Sequence, residues 1–409
     1  MILPAEEVEA SAADNTEERN AGPQQPEGMM IDPQALSEEF QELVRTDSLS
    51  RQEGAIAQTV IGKLQAMGLT VQQDRAHEPI GGETGNVIAK VPATDCGGVQ
   101  APALQRPTIM LNAHLDTVAP GCGICPECRG DDICAVGDTI LGADDKAGVA
   151  VILAAVREIM ATGAPHGELQ IVFTIAEEIG LYGARYLDYS LLSPDCCLVL
   201  DGGRDIGTMT VAAPSAQKMT WRVRGRAAHA GVCPEKGINA VQIAAEAIAA
   251  MKLGRLDEET TANIGYVQGG MARNIVPELC EVWGEARSHS DAKLAAQVSH
   301  MQRCFDDAVG CHPEATLEQE IQSSYHRFHL SEDEPVVQLA TKAAGKLGLP
   351  VKYEIGGGGS DANIFNEKGI PAVICATGAR DPHTLGETVS ISGMAKAAEW
   401  LVAMVTGEL

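Results

Sequence analysis

Thr108-Ile109-Met110-Leu111-Asn112-Ala113-His114-Leu115-Asp116-Thr117 is an apolar run that turns polar at a histidine and a carboxylate. A short apolar run of this kind reads as a buried strand, and in an open α/β sheet ligands bind where such strands end at their carboxyl side. His114 and Asp116 are two apart, so an extended backbone sends both to one side, where the carboxylate can orient an imidazole that binds metal. By itself a His-x-Asp pair is more commonly structural. Its meaning depends on what gathers round it.

Working outward, residues 86–91, 168–174 and 196–200 read as further strands. The last two end at Ala176-Glu177-Glu178 and at Asp201-Gly202-Gly203. Gly142-Ala143-Asp144-Asp145 leads into 149–160, apolar enough for a buried helix, and Phe40, Leu43, Val44 and Ile56, Val60, Leu64 have the spacing of two amphipathic helices. Alternation of strand and helix predicts an α/β layer with a largely parallel, mixed sheet flanked by helices. From about 207 the texture changes: strands at 208–211, 218–223 and 281–288 and helices at 239–251 and 291–309 read as an inserted α+β unit over 207–320. The α/β texture resumes over 321–409 with a helix at 335–347, a strand at 371–376 and a closing helix from Ser392. The first part of the α/β domain is 29–206, and residues 1–28, polar and without periodicity, read as a disordered acidic extension.

Composition narrows the function. Lys and Arg number 30 against 56 Asp and Glu, a net charge of −26, which argues against nucleic acid or an anionic membrane as partner. No run reaches the length of a membrane span, and the N-terminus lacks the basic and apolar regions of a secretory leader, so the expected location is cytoplasmic. The twelve cysteines are then reduced thiols. Four of them, Cys122, Cys125, Cys128 and Cys134, crowd one turn-rich segment. Cys125-Pro-Glu-Cys128 has the inner spacing of a zinc knuckle, but no second Cys-x-x-Cys pairs with it.

Four strand ends thus supply His114 with Asp116, Asp144, Glu177 with Glu178, and Asp201, while His383 lies in the late loop Asp381-Pro382-His383-Thr384. Two histidines and several carboxylates make a nitrogen and oxygen set suited to zinc, and one shared carboxylate can bridge two ions about 3.5–4 Å apart. Adjacent glutamates allow a division of labour in which one binds metal and the other takes a proton from activated water. The set reads as a hydrolase site. The Gly-rich approach to the helix lacks Gly-x-x-x-x-Gly-Lys-Ser/Thr, and paired aspartates would repel phosphate.

These residues carry a resemblance to the M20 family of metallopeptidases, and within it to the tripeptidase T-like branch. It covers nearly the whole chain from about Asp32, through Asn112-Ala-His114-Leu-Asp116-Thr, Leu141-Gly-Ala-Asp144-Asp-Lys-Ala-Gly, Ala176-Glu177-Glu178, Leu200-Asp201-Gly, Arg226-Ala-Ala-His229-Ala-Gly, Ala272-Arg-Asn274-Ile-Val-Pro and Gly284-Glu-Ala-Arg287-Ser. The resemblance implies a zinc-peptidase-like catalytic domain with an inserted lid that also dimerises, and a dizinc aminopeptidase acting on short peptides. His114 and Asp201 would bind one zinc, Asp144 would bridge, and Glu178 and His383 would hold the other; Mn2+ or Co2+ could replace zinc. Glu177 would be the general base and Asp116 the partner of His114. His229, read alone a structural histidine, would stabilise the oxyanion in the neighbouring subunit's site. Arg287 and Asn274 would grip a substrate carboxylate, although an arginine in an acidic protein is also a natural salt-bridge partner. The tract holding Gly358 and Ser360 reads either as bare backbone approaching substrate or as a surface turn.

The residues after His383, Thr384 and Glu387, follow the tripeptidase-like subgroup rather than the strict tripeptidases, which leaves peptide length open. Hydrolysis of N-acyl amino acids or other small amides is the nearer alternative function. A non-catalytic binding protein on a peptidase fold is the more distant one.

Overall fold

Ile109–His114 is a strand in which every residue is buried. A computed structural model describes residues 31–94 and 106–407, so the expectation for 1–28 lies outside the described residues. Ile109–His114 lies between Leu169–Thr174 and Cys196–Gly202, parallel to both, and Ala372–Ala376 continues the parallel block beyond Cys196–Gly202. These strands read as near-continuous apolar runs because helices cover them. The full sheet has nine strands and is mixed. Val87–Val91 and Val71–Gln73 add antiparallel on one side, and Thr208–Ala213 adds antiparallel on the other, carrying Phe328–His329 and Lys352–Ile355.

The helix Ala143–Thr162 lies on Ile109–His114 and Cys196–Gly202 and is itself packed by Pro33–Val44 and Ile391–Thr406. Its approach depends on Gly148, where a β-carbon would stand 2.0 Å from the Leu200 carbonyl oxygen. Any side chain there would push the helix off the strand that carries Asp201.

A second sheet of five strands, ordered Gly254–Arg255, Thr260–Gly269, Leu279–Ser288, Ser215–Arg224 and Thr316–Tyr325, has its own core beneath the helices Ala240–Ala250 and Asp291–Gly310. Trp221 stacks on Phe305 there, with ring centroids 4.6 Å apart. The boundary read at 207 places Thr208–Ala213 in this unit, whereas the structure puts it in the nine-stranded sheet. Its alternating threonines imitate a half-exposed strand, yet Thr208 is buried.

The cysteine-bearing segment forms a hairpin, Pro126–Arg129 with Asp132–Ala135, that pairs with Thr388–Ser390 and so joins the loop carrying His383. Cys122, Cys125 and Cys128 are exposed and Cys134 is half-buried; none is disulfide-bonded. None of the candidate metal clusters among the described residues contains a cysteine. No described helix is long and apolar enough to cross a membrane.

Candidate metal centre

The site stands where three neighbouring parallel strands end. His114 closes Ile109–His114, Leu169–Thr174 leads into the turn carrying Glu177 and Glu178, and Asp201 lies near the end of Cys196–Gly202. Asp144 comes from the non-helical start of Ala143–Thr162, where it and Asp145 depart from helical φ/ψ. His383 comes from a loop in which it and Asp381 both take positive φ, +63° and +53°. Non-glycine residues adopt that region rarely, and it concentrates at functional sites.

Asp144 lies between the two histidines. Its Oδ1 is 2.9 Å from His114 Nε2 and its Oδ2 is 3.2 Å from His383 Nε2. His383 Nε2 is also 2.9 Å from Glu178 Oε1. Potential donor atoms of His114, Asp144 and Asp201 lie within 4.8 Å of one another, as do those of Asp144, Glu178 and His383, and those of His114, Glu177 and Glu178. All five expected ligands are therefore brought together, with His114, Asp144 and Glu178 each common to two groups.

The electrostatics fit a cation. Burial, aggravated by Asp144, pushes the Asp201 carboxyl up to about 8. Burial also raises Glu177 and Glu178. For Asp144 burial works the same way, but hydrogen bonds from His114 and His383 outweigh it and hold the carboxyl below its usual range. The contacts with Asp144 and Glu178 push His383 up to about 10. Four acidic groups meeting two imidazoles in a buried site repel one another, and divalent ions would remove that repulsion. Nitrogen and carboxylate donors of this kind fit zinc, manganese or cobalt.

Carboxylates that are not in the expected ligand set hold these groups in place. The strand ends at His114, so the simple alternation expected of Asp116 does not apply. His114 Nδ1 lies 2.9 Å from the main-chain oxygen of Asp116 and 3.4 Å from its Oδ1. The Asp116 carboxylate accepts instead from Glu177 N–H at 2.9 Å, Glu178 N–H at 3.2 Å and Ser50 Oγ at 2.6 Å. Asp145 accepts from the His114 and Gly148 N–H groups. Glu387, buried, receives Leu141 and Gly142 N–H on Oε2, both at 2.8 Å, and Asp144 N–H on Oε1 at 3.0 Å. Sequence reasoning assigned Asp145 and Glu387 no role. The Glu387 bonds are all long-range and leave no local motif; Asp145 has one local bond, to Gly148 N–H three residues on, the pattern of a helix cap, but its bond to His114 is not legible in sequence.

Of the other expected residues, only Ser360 touches an expected ligand. Ser360 is buried, caps the helix Asp361–Glu367 and donates to Asp201 Oδ2 at 2.8 Å. Gly359 is required by an aromatic ring, since a β-carbon there would be 2.3 Å from Tyr325 Cζ. A β-carbon on Gly358 would stand 3.7 Å from Arg287 Nη1, so the tract and the second sheet meet at this point. Arg287 pairs through Nε and Nη2 with both oxygens of Glu285, at 3.1 and 3.0 Å. His229 and Asn274 are exposed neighbours on the second unit, joined by Ala230 N–H donating to the Asn274 carbonyl at 2.9 Å, and neither belongs to a candidate metal cluster.

Known proteins resemble this chain over most of its length. Peptidase family M20/M25/M40 matches residues 110–407. An aminopeptidase PepT from Bacillus cereus is 39% identical, with a TM-score of 0.79 over 93% of this chain and 99% of that one. A tripeptidase from Staphylococcus aureus is 36% identical, with a TM-score of 0.84 over the same shares of the two chains. The uncharacterized protein YqjE of Bacillus subtilis is 39% identical over 376 residues, 92% of this chain and 99% of that one. The chain belongs to the M20/M25/M40 peptidase family, in its PepT-like branch, and is a metal-dependent peptidase.

Proposed function

We propose that this M20 peptidase removes the N-terminal residue of short peptides, tripeptides among them, with two divalent ions, zinc foremost. The observation that carries the reading is the placement of Asp144, one oxygen on each histidine, with Asp201 beside His114 and Glu178 beside His383. His114 and Asp201 would hold one ion, Glu178 and His383 the other, and Asp144 both. Bound there, the ions would polarise the scissile carbonyl and make a water nucleophilic at neutral pH.

The chain's own residues do the rest. Glu177, buried and within reach of His114 and Glu178, takes the proton from the attacking water and returns it to the leaving amine. Arg287, with Nη1 turned towards Gly358, receives the peptide's carboxylate, and Asn274 assists from the exposed lid surface. His229 donates to the oxyanion in the site of a second copy.

Glu177→Ala tests the base. The variant keeps its metal but loses about 10³-fold or more in kcat on tripeptides. Retained turnover would sink the assignment. A panel of dipeptides, tripeptides and N-acyl amino acids, with zinc, manganese or cobalt added, decides the substrate class; faster hydrolysis of the N-acyl amino acids would move the enzyme out of the aminopeptidase reading.

A further inference from the structure

Four consecutive main-chain N–H groups beyond Leu169–Thr174 are taken up by side chains. Ile175 donates to Asn86 Oδ1 at 3.1 Å, Ala176 to Glu53 Oε1 at 3.0 Å, Glu177 to Asp116 Oδ1 at 2.9 Å and Glu178 to Asp116 Oδ2 at 3.2 Å. The chain must turn both glutamates into the mouth of the sheet, and the bend falls at Ala176, whose φ is +50°. A residue with a β-carbon stays in that region only when its surroundings hold it there. Asp116 holds the two glutamates. Glu53 holds the residue that bends.

Glu53 is wholly buried and precedes the helix Gly54–Ala66 without capping it through its side chain. Its Oε1 also accepts from Arg51 N–H at 2.9 Å, and Arg51 is itself at φ +74°. Its Oε2 has no partner among the described residues. Burying a carboxylate with an unpartnered oxygen is costly, and burial with Asp116 nearby pushes this one up to about 7. Helix capping does not account for that arrangement. What the side chain reaches is the turn, 123 residues away in sequence, while Ser50 of the same segment braces Asp116 from the other side.

We infer that Glu53 is a positioning residue for hydrolysis: its Oε1 fixes Ala176 in the left-handed bend that aims Glu177 at the substrate and Glu178 at the metal pair. The inference rests on the roles proposed above for those two glutamates. The acceptor oxygen is what matters, so the side chain's reach counts for more than its charge.

Two substitutions of similar volume separate acceptor from charge. Glu53→Gln keeps an oxygen for Arg51 and Ala176, and kcat stays within about fivefold of the wild type; Glu53→Met removes the acceptor, and kcat falls about 30-fold or more with KM within about threefold. Adding Ala176→Gly to Glu53→Met restores at least about fivefold in kcat, because glycine accepts the bend without an anchor. Glu53→Met at wild-type kcat, Glu53→Gln as slow as Glu53→Met, or no recovery from the glycine overturns the inference. Hydrogen exchange on the wild-type enzyme gives a reading that needs neither activity nor a folded variant. The Ala176 amide is strongly protected, and exchange at the rate of an exposed loop overturns the inference even if Glu53→Met does not fold. Loss of the Glu53 effect in an enzyme that still needs Glu177 rejects Glu53 alone. A Glu177→Ala enzyme that remains active rejects the reading beneath it.

Discussion

Asp116 acts through two different groups. Its main-chain oxygen is nearest to His114 Nδ1, while its carboxylate receives the N–H groups of Glu177 and Glu178. The sequence pointed to the pair but not to this split, because alternation along a strand says which side a residue faces and nothing about which of its oxygens is used. The consequence is an unequal pair of variants. His114→Ala removes a proposed ligand, and one of the two proposed ions should no longer survive dialysis against a weak chelator. Asp116→Asn keeps the ligand but puts an amide NH2 against at least one main-chain N–H donor, so metal affinity falls about 10- to 100-fold and turnover falls with it. Competition with a chromogenic chelator reads both. Equal affinity in Asp116→Asn and wild type would show that the turn does not need the carboxylate.

Elements were legible in proportion to their burial. Ile109–His114, Leu169–Thr174 and Cys196–Gly202 are apolar nearly throughout, and their positions follow from the sequence within two residues. Thr316–Tyr325 is not legible because only Leu317, Ile321 and Tyr325 interrupt a polar run, most of it is exposed, and it is held by pairing with Ser215–Arg224. The supporting loops were illegible for another reason: Glu387 reaches Leu141 across 246 residues, through main-chain N–H groups that leave no trace in side-chain pattern. That carboxylate ties the His383 loop to the segment carrying Asp144, so it fixes the relation between ligands of both proposed ions. Both Glu387 oxygens are occupied by N–H donors, and in Glu387→Gln one of those donors must face an amide NH2. The folded variant should hold about one ion per chain instead of two by elemental analysis, with far-ultraviolet circular dichroism unchanged. Two ions retained at wild-type affinity would reduce Glu387 to a loop staple.

At the scale of the whole molecule, the proposed ligands and Glu177 belong to the nine-stranded sheet and its loops, while His229, Asn274 and Arg287 belong to the five-stranded unit with its separate core. Arg287 comes near the tract that leads to Ser360, but His229 is exposed, and Val232 and Ile275, which both contact its backbone, are 76% and 42% exposed. Among the described residues His229 joins no candidate metal cluster, and bare apolar side chains beside it suit a surface that a second copy covers. If His229 serves the other copy's centre, two dead enzymes can repair each other. Glu177→Ala and His229→Ala are each nearly inactive, yet in a mixed dimer the chain with intact Glu177 receives an intact His229 from its partner. After subunit exchange of an equal mixture, half the dimers are mixed and each carries one complete site, so activity should recover to about a quarter of wild type. Sedimentation at matched concentration must show a dimer in the same samples. Dimers that exchange subunits without recovering activity would place His229 outside the partner's site.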